Sequence, residues 1–165
     1  MSEGLYRIVS FDRQMGIGAA GSWQASIGAV AKCNGQNAPY CIPNELICSE
    51  LGRFLRLPLP PAGIIHAPNA PNPFWFASLD FNLTGNSLPP VDPARCVTDL
   101  PDLSTGLLLF DVLIGNSDRH TGNLSVDFST KPPQMSVFDH SHALFGAAAG
   151  QGESQLIAMY DQLGI

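Results

Sequence analysis

The octapeptide Asn116-Ser117-Asp118-Arg119-His120-Thr121-Gly122-Asn123 decides how the rest of this chain is read. It is dense in polar and charged groups, yet it follows the apolar run Leu107–Ile114 and precedes the apolar segment Leu124–Phe128. One account is a helix-to-strand turn in which Asn and Asp side chains satisfy backbone groups. The residues downstream point further. Leu124–Phe128 and Met135–Phe138 read as two short strands around Ser129-Thr130-Lys131-Pro132-Pro133, which is turn chemistry. With Lys131 at the turn centre, Asn123 faces Asp139, and cross-strand geometry sets such partners roughly 5 Å apart. An amide oxygen and a carboxylate are hard ligands suited to Mg²⁺ that keeps several waters and bridges phosphates. Asp118, five residues before Asn123, is then free to accept a proton from an attacking hydroxyl.

Working back from this segment, Leu103–Ile114 reads as a helix apolar on most faces, capped by Asp102 or Ser104. Asn82–Pro101, with Pro89, Pro90 and Pro93, reads as a polar connector. Gly63–His66 and Phe74–Phe81 are expected strands separated by the Pro/Asn-rich segment 68–73, and Phe74, Trp75 and Phe76 are expected in the core. Pro43–Leu57 is helical in pattern, since Leu46, Ile47, Leu51, Phe54 and Leu55 recur at three- and four-residue steps before Pro58. Leu5–Phe11 and Ile27–Cys33 read as a hairpin-like pair of strands around the glycine-rich stretch Gly16–Gly21. That stretch spells GxGxxG, whose glycines let backbone N–H groups approach phosphate. No helical periodicity follows it, so a phosphate-covering loop fits better than a dinucleotide-binding turn. The chain closes with small residues, 146–152, and a short helix over Ser154–Leu163. Strands come first and helices later, an α+β pattern.

Composition narrows the function classes. A chain of 165 residues is long enough for one ordinary core, and 45% hydrophobic against 13% charged residues argues against disorder. A net charge of -6 leaves no basic stripe for an extended nucleic acid or an anionic membrane surface. A nucleotide remains compatible, because it needs only one Lys, some N–H groups and a metal. The four cysteines form no CxxC pair, and no secretory signal or membrane span is legible, so a cytoplasmic location is expected.

The stretches "FDVLIGNSDRHTGN" and "VFDHSHALFG" resemble the catalytic loop and metal-binding segment of HipA-like kinases, relatives of the phosphoinositide kinases. The resemblance implies that Asp118 is the catalytic aspartate, Asn123 the metal-binding asparagine and Asp139 the second metal ligand. Upstream, "AVAKCNG" and "PNELICSELGRFLRLPLP" are similar to the family's phosphate-holding Lys and Glu pair, which would be Lys32 and Glu45. Gly16, Gly18 and Gly21 would cover the phosphates, and His120 would brace the catalytic loop. The implied fold is a two-lobed, protein kinase-like α+β domain, lobe one about 1–84 and lobe two about 85–165, with a shortened C-terminal lobe. The implied activity is transfer of phosphate from ATP, with Mg²⁺, to a Ser or Thr hydroxyl of a protein substrate.

Three alternatives stand beside it. A nucleotide-binding or partner-binding module would keep the fold as a scaffold. A phosphoinositide-type lipid kinase is disfavoured by the acidic charge. A metallohydrolase would use Asp118, His120, Asp139, His140 and His142 on a transition metal.

Overall fold

The computed structural model describes residues 8–16, 21–81, 90–116 and 118–146. Strands β1 (Ile8–Gln14) and β2 (Trp23–Ile27) form an antiparallel hairpin, in which Met15 N–H donates to Ser22 O at 2.7 Å. β3 (Ala29–Lys32) belongs to another sheet, antiparallel to β5 (Phe74–Leu79), which also pairs with β4 (Ala62–His66). The expected strand Ile27–Cys33 is therefore cut in two, and the partner of the first strand is Trp23–Ile27. Its period-two order, Trp23-Gln24-Ala25-Ser26-Ile27, carried that signal. The break falls at Gly28, whose carbonyl accepts from Asp80 N at 2.9 Å and hands the chain from one sheet to the next.

α1 (Cys41–Phe54) lies close to the expected helix, but it buries a different face. Ile47, Phe54 and Leu55 are exposed, whereas Cys41, Asn44, Glu45, Cys48, Ser49 and Gly52 are buried. The apolar stripe did not choose the inner face, because Asn44 and Glu45 find buried partners in the segment after Asp139, described below. Of the three aromatics expected in the core, Phe76 is 3% exposed, Trp75 is half-buried and Phe74 is exposed.

α2 (Pro93–Asp99) occupies part of the expected connector. Asp92 accepts from Ala94 N at 2.9 Å and Pro93 opens the helix, a start signal that reading the prolines as breakers overlooked. α3 (Pro101–Leu113) begins at Pro101 after an uncapped Leu100, so neither Asp102 nor Ser104 is its cap. Nor is it buried all round. Leu107, Phe110 and Asp111 face inward, while Leu108, Leu109, Val112 and Leu113 are exposed. The core is built from Cys48 of α1, Cys96 of α2, Leu107 and Phe110 of α3, Ile114, and the last hairpin's Val126, Met135 and Val137.

That hairpin pairs β6 (Leu124–Asp127) with β7 (Gln134–Val137), Leu124 opposite Val137. The register is one residue away from the expected alignment, so Asn123 stands across from Phe138 rather than Asp139. The turn is the cause: Asp127 accepts from Ser129 N and Oγ, and the carbonyl of Asp127 accepts from Thr130, which pulls the bend towards β6. The expected lobe boundary near residue 84, Gly18 and the closing helix Ser154–Leu163 lie outside the described residues.

Candidate active site

Lys32 ends β3 with its ammonium between two carboxylates, 2.6 Å from Glu45 Oε1 and 2.8 Å from Asp139 Oδ1. The strand delivers the Lys, the first turns of α1 deliver the Glu, and the end of the β6–β7 hairpin delivers the Asp. A one-residue register slip would ordinarily turn a side chain to the opposite face. Asp139 escapes that consequence because it lies beyond β7 with φ at 62°, a left-handed conformation that breaks strand alternation and brings its carboxylate to Lys32. Such a conformation is uncommon for residues other than Gly, and least so for Asn and Asp.

Burial, the largest influence on each of the three groups, opposes its charge, and the ionic contacts outweigh it. Lys32 is held above its ordinary value by Glu45 and Asp139. Asp139 is held below its own by Lys32 and then by Ser141. Glu45 is lowered by His140 and Lys32. Of those two, Lys32 is in direct contact, whereas His140 Nδ1 lies 3.7 Å from Glu45 Oε2, beyond hydrogen-bond reach, so the lysine is the firmer cause.

These groups form the charged end of a cavity of about 370 Å³ whose other walls include Val30, Phe76, Phe81, Val137 and Phe138. Phe81 and Phe138 face each other with ring centroids 5.3 Å apart. An apolar slot leading to a lysine ammonium flanked by carboxylates suits a flat heteroaromatic ring carrying an anionic tail that brings its own cation. Neither Gly16 nor Gly21 is among the described residues that line the cavity. Both have positive φ at the ends of the hairpin tip.

Between α3 and β6, the octapeptide is held at both ends. Asn116 Oδ1 accepts from Asp118 N at 3.1 Å, and Asn123 Nδ2 donates to Asp118 O at 3.0 Å. The backbone of Asp118 is thus fixed while its side chain stays exposed. With its Nδ2 committed, Asn123 keeps Oδ1 as the atom for a cation. That oxygen and the Asp139 carboxylate fit a hard divalent ion that retains waters. Among the described residues no group of three or more His, Cys, Asp or Glu is gathered as a metal site.

Arg119 organises the loop. Its Nε and Nη2 meet Asp111 Oδ2 and Oδ1 at 3.0 and 3.1 Å, and its Nη1 donates to the carbonyls of Asn123 at 3.0 Å and Phe138 at 2.7 Å. One guanidinium therefore fixes the backbone next to both candidate ligands. The imidazole of His120 caps the 121–123 turn by accepting from Gly122 N at 3.0 Å. A Cβ at Gly122 would come within 2.8 Å of that ring, which explains the glycine.

Sequence reasoning passed over Asn44 and Ser141. Buried Asn44 donates to Ser141 O at 2.9 Å and accepts from Phe145 N at 3.3 Å, tying α1 to the segment after Asp139. Ser141 Oγ lies 2.9 Å from Glu45 Oε1 and 3.0 Å from Asp139 Oδ1. Their only sequence signal was adjacency, Asn44 beside Glu45 and Ser141 two places after Asp139.

A protein-family model described as HipA-like kinase matches residues 30–154. No curated protein matches the chain. Among solved structures, the crystal structure of the Helicobacter pylori proinflammatory kinase CtkA is similar over 93% of this chain, at 16% identity and a TM-score of 0.50. The chain spans 64% of that kinase's length. At this identity the likeness speaks for a kinase-like fold of mixed helices and strands.

Proposed function

The chain belongs to the HipA-like kinase family, and from that premise we propose that its cleft binds ATP with Mg²⁺ and transfers phosphate to a Ser or Thr hydroxyl of a protein. The observation that carries the reading is Lys32 held between Glu45 and Asp139 at the charged end of an apolar cavity. When bound, ATP with Mg²⁺ supplies the phosphoryl group and neutralises its developing charge.

The chain's own residues divide the remaining work. Lys32, kept protonated by its two acids, binds phosphate oxygens, and Glu45 orients it. Asn123 and Asp139 hold the metal. Asp118 accepts the hydroxyl proton of the incoming substrate as that oxygen attacks, a role supported by its exposed side chain on a fixed backbone. Gly16, Gly18 and Gly21 cover the phosphates in the same reading, within a two-lobed arrangement that divides near residue 84 and has a short C-terminal lobe.

A second reading is a nucleotide-binding or partner-binding scaffold, and one observation favours its partner-binding form. Lys32 and Asp139 neutralise each other at 2.8 Å, a contact that ligand binding has to break.

ATP with Mg²⁺ is expected to raise the melting temperature, and ATP with a chelator to raise it far less. At a ligand concentration 100 times Kd, linkage gives about 2.7 kcal/mol. No shift at millimolar ATP overturns nucleotide binding. A shift without labelled-phosphate transfer to any protein in a lysate favours the nucleotide-binding scaffold.

A further inference from the structure

Ser141 is buried, and its hydroxyl meets four polar neighbours: Glu45 Oε1 at 2.9 Å, Asp139 Oδ1 at 3.0 Å, Lys32 Nζ at 3.4 Å and Cys41 Sγ at 3.5 Å. Its carbonyl is pinned to α1 by Asn44. A hydroxyl carries one proton, so it donates to one of the two carboxylates at a time. The Lys32 ammonium, with three protons, reaches the same two oxygens. Glu45 Oε1 and Asp139 Oδ1 therefore share one donor pair, an ammonium and a hydroxyl.

These two donors differ in what ligand binding does to them. In the reading above, Lys32 keeps its contact with Glu45 and turns from Asp139 towards phosphate, so the cation no longer stands between the two carboxylates. Two ionised carboxylates sharing a site repel unless a donor or cation separates them. The hydroxyl is fixed between them and stays when Lys32 turns. We propose that Ser141 is a positioning residue whose hydroxyl bridges Glu45 and Asp139, holding the Asp139 carboxylate in its metal-binding orientation and coupling it to α1. The inference rests on the metal-dependent nucleotide site proposed above.

Outer partners of metal ligands typically change metal affinity 10- to 100-fold when removed. The experiment titrates Mg²⁺ at fixed, saturating ATP, under reducing conditions, and reads the concentration that gives half of the ATP-dependent thermal shift. Each variant is referred to its own melting temperature without ligand, which removes any general loss of stability. Ser141→Ala is expected to raise that half-point about tenfold or more, and Ser141→Thr, which restores a hydroxyl, to return it to within a few-fold. Where Ser141→Ala does not fold, Ser141→Cys keeps the volume with a weaker donor and is read the same way. An unchanged half-point in Ala or Cys, while the unmodified protein responds to Mg²⁺, overturns the role of Ser141 alone. A half-point in Ser141→Thr as high as in Ala also overturns it. If the unmodified protein shows no Mg²⁺-dependent shift, the reading of the cleft falls and takes this inference with it.

Discussion

Asp139 carries a left-handed φ of 62° in a chain where a strand has just ended, and that one torsion brings the β6–β7 hairpin into contact with Lys32. Holding a residue in such a region costs on the order of 1–3 kcal/mol, and strain of this kind collects at working sites. Asn tolerates the same conformation, so Asp139→Asn tests charge without forcing the backbone. Asp139→Asn is expected to abolish Mg²⁺-dependent ATP binding and transfer together. Asp118→Asn is expected to keep ATP and Mg²⁺ affinity within a few-fold and to slow transfer by about 10²- to 10⁴-fold. Calorimetry on both variants with a transfer assay separates them, and equal loss of binding would revive a shared metal cluster. Arg119 acts on backbone instead. Its side chain and that of Asp111 are only 12% and 9% exposed, so Arg119→Met leaves the buried Asp111 carboxylate without its counter-charge, beside the Asn116 amide that donates to it at 3.1 Å. Urea unfolding should show a loss of about 3–5 kcal/mol, with Asp111→Leu in the same chain recovering part of it.

Helix α1 shows what one element contributes, since it presents polar Asn44 and Glu45 to the segment 141–145 and, one turn on, Cys48, Ser49 and Gly52 to the interior. Burial pushes the Cys48 thiol up to about 12, so this cysteine is packing rather than a nucleophile. At Gly52 a Cβ would lie 2.7 Å from Leu59 Cδ1 and 3.2 Å from Phe110 Cζ. Gly52→Ala gains up to about 1 kcal/mol of helix propensity. Leu59 and Phe110 are both buried and have little room to move, so overpacking of about 1–3 kcal/mol wins. A lower urea midpoint is expected, and a higher one would mean that Leu59 swings clear.

The same helix marks the limit of what was legible. Its existence followed from periodicity, but its buried face did not, because the partners of Asn44, and the Ser141 hydroxyl that meets Glu45, lie about a hundred residues away. The pairing register of β6 and β7 was hidden for a similar reason: it depends on how Asp127 caps the turn, not on the strand pattern. By contrast, Lys32, Glu45 and Asp139 were named from residue type and motif, and those three side chains do meet.

At the scale of the whole molecule, Lys32, Glu45, Asp139 and Ser141 join segments 13 to 109 residues apart, so their protonation bears on global stability. Glu45 and Asp139 are depressed from ordinary values of 4.5 and 3.8. Their contribution is therefore fully present above about pH 4.5 and is lost as pH falls through the lowered native values. Lys32 is raised above its ordinary 10.5. Its contribution is present below that value and is lost as pH rises through the native one. The cluster thus stabilises most between about pH 5 and pH 10 and loses strength on both sides. Lys32→Met removes the shared cation and leaves two neighbouring acids with Ser141 alone between them. Breaking a buried pair costs about 3–5 kcal/mol, but Lys32 and Asp139 keep 27% and 34% of their side-chain surface exposed, so screening reduces this to on the order of 1–2 kcal/mol. For a chain of this size that is about 2–8 °C in Tm. Melting curves of the unmodified protein and Lys32→Met across pH 3–11 should show the widest gap in the neutral range, closing below pH 4 as the acids protonate. A gap that is the same at pH 3 and pH 7 would mean that Lys32 stabilises through its alkyl chain rather than through its charge.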